Sequence, residues 1–223
     1  MTAHRRRVPR GAAPAMAFAL AGVLTVALAQ ESVLAGFVGV TGSSANKVTA
    51  AASFCTTPGN ETKTATADSF VQQGSPSSVS GGSATYLVVT PQAGAAHRMY
   101  LRFDLPNVPA RCDVSGATLE VYAESQVAGR TLGAYRVAPT PVWTEATLNW
   151  TNKPLGVSPA QTVVMPNTDQ YVSWTVTSLV QDMYALGNNG FVVQDQDETG
   201  PGAWQQFRSR SMASPPLLKV FWS

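Results

Sequence analysis

Three groups of side chains in this chain of 223 residues have the chemistry to hold a ligand. Arg98, Tyr100 and Arg102 alternate along Arg98-Met-Tyr-Leu-Arg-Phe-Asp-Leu105, which places two guanidinium groups and a phenol on one side of an extended chain. Guanidinium groups grip carboxylates through paired hydrogen bonds, and an aromatic ring stacks on the face of a sugar, so this triplet suits a polysaccharide, acidic ones included. Arg136, Arg208 and Arg210 are candidates to extend the surface. Trp204, following Gly200-Pro-Gly-Ala203, is the aromatic residue best placed for contact, because an indole exposed on a loop is costly without a purpose. The competing expectation pairs Arg98 and Arg102 with Glu120 and Glu124 across a hairpin, a ladder worth under about 1 kcal/mol per pair.

Asp195, Asp197 and Glu198 form the second group, with enough oxygen atoms for calcium, and Asp68 joins them if it lies nearby. Their spacing is not that of an EF-hand loop, and acidic loops are commonly just solvated. A glycosidase pair needs two carboxylates at a defined separation, which the sequence does not supply. The third group is Cys55 and Cys112. An even pair in an oxidising compartment is expected to form a disulfide, closing a loop of about 57 residues and contributing about 4 kcal/mol. A zinc site needs more ligands, and a cysteine nucleophile needs a paired base. No G-x-S-x-G, H-E-x-x-H or Walker pattern occurs, so no enzyme activity is expected.

The elements that must position these groups read as strands. Met99, Leu101, Phe103 and Leu105 share one side of the first segment; Ala117, Leu119, Val121 and Ala123 do the same in Ala117-Thr-Leu-Glu-Val-Tyr-Ala-Glu124. The two segments read as a half-buried antiparallel pair, with Arg98, Tyr100, Arg102, Asp104, Glu120, Tyr122 and Glu124 facing out. Strand patterns recur near 62–71, 84–90, 97–105, 117–124, 131–138, 146–150, 160–165, 170–176, 190–195, 203–210 and 216–222, separated by Gly, Pro and Asn turn chemistry. One segment departs from this rhythm. Leu179, Val180, Met183 and Leu186 recur at helical spacing, Ser178 and Gln181 fit a capping box, and Gly187 fits a helix stop. Trp150, Trp174 and Trp222 alternate with apolar neighbours and are expected in the core, while Trp143-Thr-Glu145 reads as a locked corner with Glu145 accepting backbone hydrogen bonds.

Composition narrows the class. Only 13% of the residues are charged, about half the usual fraction, and turn formers abound, as in extracellular all-β proteins. The net charge of +2 is dominated by Arg5, Arg6, Arg7 and Arg10; without these four, 11 basic residues face 13 acidic ones. That balance argues against a nucleic-acid partner. A basic stretch from His4 to Arg10, an apolar run from about Ala15 to Leu28 and the small-x-small Ala27-Leu-Ala29 read as a signal peptide cut before Gln30. The rival is a retained anchor running on to Val40, which Gln30, Glu31 and Ser32 interrupt. The expected organisation is a signal peptide at 1–29, an Ala/Ser/Thr/Gly-rich spacer at 30–61 and a β-sandwich at 62–223, secreted and without membrane contact after cleavage.

The succession Ala67-Asp-Ser-Phe-Val71, Tyr100-Leu-Arg-Phe-Asp-Leu105, Ala117-Thr-Leu-Glu-Val-Tyr122, Trp143-Thr-Glu-Ala-Thr-Leu-Asn-Trp150, Trp174-Thr-Val-Thr-Ser-Leu-Val180, Gly190-Phe-Val-Val-Gln-Asp195 and Pro215-Pro-Leu-Leu-Lys-Val-Phe221 resembles the DNRLRE domain, a bacterial extracellular module grouped with carbohydrate-binding module family 96. The resemblance covers about residues 62–222. It implies an all-β jelly-roll sandwich, here with one short helix, and a non-catalytic polysaccharide-binding role at or near the cell envelope. The chain departs from the family at Gln194-Asp-Gln-Asp-Glu198, where a basic residue often accompanies the acidic ones. The alternatives are a structural or adhesive surface protein and a polysaccharide-degrading enzyme.

Overall fold

The computed structural model describes residues 55–79 and 84–223; the expected signal peptide, and the spacer as far as residue 54, lie outside the described residues. In chain order the elements are β1 (Gly59–Thr64), β2 (Ala67–Gln72), β3 (Tyr86–Val89), β4 (His97–Arg102), β5 (Val114–Ser125), β6 (Thr131–Val137), β7 (Gly156–Val164), β8 (Gln170–Thr175), α1 (Thr177–Leu186), β9 (Phe191–Asp195), β10 (Gln205–Arg208) and β11 (Leu217–Trp222). The sandwich thus begins at Gly59, ahead of the boundary expected at 62.

Two antiparallel sheets form. Sheet I contains β1, β11, β5, β10, β3 and β8; sheet II runs β2-β4-β9-β6-β7. The long strand β5 organises sheet I. Its residues Thr118–Glu120 pair with both β8 and β11, and Ala123 pairs with both β8 and β10, so β8 lies along one edge while β11 and β10 follow each other along the other. The chain changes sheet at nearly every connection among the described residues, the winding of a jelly roll.

Strict alternation determines what each strand buries. Met99 and Leu101 of β4 meet Ala117, Leu119, Val121 and Ala123 of β5 in one interior, joined by Leu132, Trp174, Phe191, Phe207 and Leu218. They arrive from opposite sheets. β4 pairs with β2 and β9, and β5 with β8, β10 and β11, so the hairpin expected between them does not form. Period-two patterning specifies a buried face without specifying a neighbour. β9 is buried throughout its apolar run, because a second apolar cluster covers the other side of sheet II.

Helix α1 packs Leu179, Val180 and Met183 against the core and lies on β5 and β6. The capping box is absent. No side chain caps the N-terminus; instead the Thr177 hydroxyl accepts a hydrogen bond from Ala117 N, and Gln181 Nε2 donates to Val114 O, which fixes the helix to β5. Gly187 ends it with φ of 105°. Two expected strands also changed. The segment 62–71 breaks at Ala65-Thr66 into β1 and β2, which lie in different sheets. Residues 146–150 form turns, because Asn149 Oδ1 accepts the amides of Thr151 and Asn152 and draws the backbone away from any ladder. Cys55 and Cys112 are joined by a disulfide.

Candidate functional site

The outer face of sheet II carries Arg98, Tyr100 and Arg102, and it is covered. Residues 138–155 cross it, placing Trp143 and Leu148 against Ala67, Val71, Tyr100, Val137 and Val192. Asn188-Asn189-Gly190 anchors that cover. Asn189 Nδ2 donates to the carbonyls of Ala138 and Pro141, and Asn189 O accepts the Trp143 indole N–H at 2.8 Å. Gly190 has φ of 81°, and a Cβ there falls 2.0 Å from the Leu101 carbonyl oxygen, so no other residue fits this close approach. Glu145 accepts the Asp68 amide at 2.7 Å, the backbone bond expected of the locked corner.

The triplet is therefore not a free surface. Tyr100 is fully buried, its hydroxyl donates to Pro154 O at 2.8 Å, and burial pushes its ionisation upward. Arg98 forms a two-point ion pair with Glu198 (2.7 and 2.6 Å) and stands over Trp150. Arg102 donates to Trp143 O and stacks over its ring. Neither pairs with Glu120 or Glu124, which hold Lys219 and Arg208 instead. Arg136 is also misplaced by the sequence reading. It is 6% exposed and shares the inward parity of Leu132 and Ala134, so it points into the sandwich. Arg210 lies apart from these, binding Glu145 and the Asp68 carboxylate region at the edge of β2.

The acidic group does not converge either. Asp195 is buried and forms a two-point pair with Arg130, Glu198 is taken by Arg98, and Asp197 accepts the hydroxyl and amide of Thr199. Those two Thr199 hydrogen bonds hold the Asp197 carboxyl below its usual range. Asp68 lies with Glu145 and Arg210, not beside them. Among the described residues no group of three or more His, Cys, Asp or Glu is arranged to hold a metal ion.

The outer face of sheet I is different. Glu120, Tyr122 and Glu124 of β5, Gln206 and Arg208 of β10, Lys219 of β11 and Tyr171 of β8 are all partly exposed, and Trp204, immediately before β10, is 46% exposed. A continuous strip crosses the strands. The Trp204 indole N–H contacts Gln206 Oε1 at 3.4 Å, and Gln206 Nε2 contacts Glu124 at 3.4 Å. Arg208 Nε donates to Glu124 at 2.7 Å while its guanidinium lies 4.3 Å over the Tyr122 ring. Tyr122 in turn meets Tyr171 edge-to-face at 5.4 Å. At the other end, His97 packs edge-on to Trp204, and Tyr86, opposite Arg208 in the register, stacks on Phe70. Of this strip, the sequence marks Trp204 and Arg208 as ligand candidates and places Tyr122 and Glu124 on an outward face; Tyr171 and Gln206 carry no such signal, although both occupy outward positions of alternating strands. The arrangement offers aromatic rings at two ends and, between them, a carboxylate, an amide and a guanidinium that can exchange hydrogen bonds with hydroxyl groups.

Two antiparallel sheets packed face to face, one outer face covered and the other open among the described residues, define a β-sandwich. The chain belongs to carbohydrate-binding module family 96: the family model matches residues 60–221, essentially the whole sandwich. No curated protein matches the chain.

Proposed function

We propose that this protein is a non-catalytic module that binds polysaccharide on the open face of sheet I, outside the cytoplasm. The observation that carries the reading is the strip from Trp204 through Gln206, Glu124 and Arg208 to Tyr122 and Tyr171, which spans β10, β5 and β8, on the order of 10 Å of sheet, and can follow a short run of sugar rings. Family membership supports a carbohydrate ligand. The Cys55–Cys112 bridge and the basic-apolar leader support export, since disulfides persist in oxidising compartments. Calcium plays no part in the proposed contact, because Asp195 and Glu198 already hold arginines.

Electrophoresis of the full chain through gels containing soluble polysaccharides tests this. Retardation in at least one gel is expected, and Trp204→Ala weakens it about tenfold, the magnitude of losing one stacking contact. Migration unchanged in every gel replaces this reading with a structural or adhesive role. Release of new reducing or unsaturated ends from a bound polysaccharide contradicts the non-catalytic part.

A further inference from the structure

Resting on the polysaccharide reading, we propose that the open face of sheet I selects neutral, hydroxyl-rich glycans and that Glu124 is the residue that excludes acidic ones. On the described strands of this sheet every cation is already matched. Lys63 pairs with Glu61 at 2.5 Å, Lys219 with Glu120 at 2.8 Å and Arg208 with Glu124 at 2.7 Å. Among the described residues the face therefore presents no spare positive charge to a uronate or sulfate, and its guanidinium, that of Arg208, is occupied on two sides. Arg208 gives Nε to Glu124 and Nη1 to Ala213 O, while its flat face is against Tyr122. A sugar carboxylate approaching that guanidinium meets the negative charge of Glu124 already held against it. A sugar hydroxyl meets no such repulsion. Glu124 accepts, Gln206 Nε2 donates, and Gln206 Oε1 accepts, a set that reads hydroxyl groups in either sense. The acidic preference entertained from the sequence thus reverses once Arg98 and Arg102 are seen to belong to the covered sheet.

The test compares neutral polysaccharides (a soluble β-glucan, a mannan, a galactan) with acidic ones (alginate, polygalacturonate, a sulfated galactan) by affinity electrophoresis of the full chain at low and at high salt. Retention by a neutral polymer that survives added salt, with no retention by the acidic set, is expected. In Glu124→Gln, which keeps the side-chain shape, retention by the neutral polymer falls severalfold and retention by an acidic polymer appears, sensitive to salt, about tenfold above the parent chain. Wild-type retention by an acidic polymer that salt abolishes overturns the inference while leaving the carbohydrate reading intact; its loss in Lys153→Met then locates the site on the cover of sheet II. A Glu124→Gln chain that still ignores acidic polymers overturns the role of Glu124. No retention by any polymer sinks the carbohydrate reading and this inference with it.

Discussion

Substituting Asp68 by Asn changes how stability responds to pH. The Asp68 carboxyl is 4% exposed at the edge where β2 meets the segments carrying Glu145 and Arg210. Burial, reinforced by the charge of Glu145, pushes its pKa from 3.8 up to about 6, against the opposing pull of the Arg210 amide and guanidinium. Between about pH 4 and pH 6 the folded chain therefore holds a proton that the unfolded chain has released. Stability from this group is fully present below the unfolded pKa and is lost as pH rises through the folded value. A rise from 3.8 to about 6 corresponds to about 3 kcal/mol at 1.36 kcal/mol per unit. Glu145, whose hydrogen bonds to Arg210 and the Asp68 amide lower its pKa in spite of its own burial, acts in the opposite sense; those hydrogen bonds involve backbone and Arg210 and are common to both chains. Urea unfolding of the parent and of Asp68→Asn, followed by tryptophan fluorescence from pH 4 to pH 7.5, reads the effect directly. The parent is expected to lose about 2.5 kcal/mol relative to the variant across that range, most of the total, because pH 4 lies just above the unfolded pKa. Parallel profiles would refute the reasoning, because they mean that Asp68 titrates alike in both states.

Three further substitutions probe the frame. Replacing both Cys55 and Cys112 by Ser removes a cross-link over 57 residues and is expected to cost about 4 kcal/mol, read as a fall in Tm of roughly 10 °C by calorimetry. Gly190→Ala drives a methyl group into the Leu101 carbonyl at a positive φ, and the expected outcome is a chain that fails to accumulate as soluble protein or unfolds at much lower urea. Trp143→Ala removes a 3% exposed indole from the cover of sheet II, with an expected loss of about 3–5 kcal/mol in urea unfolding and faster hydrogen exchange across 138–155.

The alternation in Arg98–Leu105 and Ala117–Glu124 correctly identified the residues that face the interior of the sandwich, Met99, Leu101 and Phe103 in the first and Ala117, Leu119, Val121 and Ala123 in the second, because side-chain direction is a local consequence of extended backbone. Which strands lie side by side depends on connections that carry no period, and there the reading paired β4 with β5 across what is the middle of the sandwich. The same limit hid the cover. Tyr100 and Arg102 stand on the polar side of their strand, but whether that side meets water depends on Trp143 and Leu148 in a segment without strand character. The apolar content of that segment was a legible signal, as was the parity of Leu132, Ala134 and Arg136, which already placed the arginine inward. Glu120, Tyr122 and Glu124 were read as outward-facing, and they are; their partners Arg208, Lys219 and Tyr171 come from strands whose adjacency to β5 no spacing reveals.

Mapping a polysaccharide that retards the chain onto its amide and indole resonances tests the central claim most directly. The account predicts shifts at the Trp204 indole and at the amides of Gln206, Arg208, Tyr122 and Tyr171, with Trp150 and Lys153 unmoved; shifts confined to Arg102, Trp150 and Lys153 on the covered sheet contradict it.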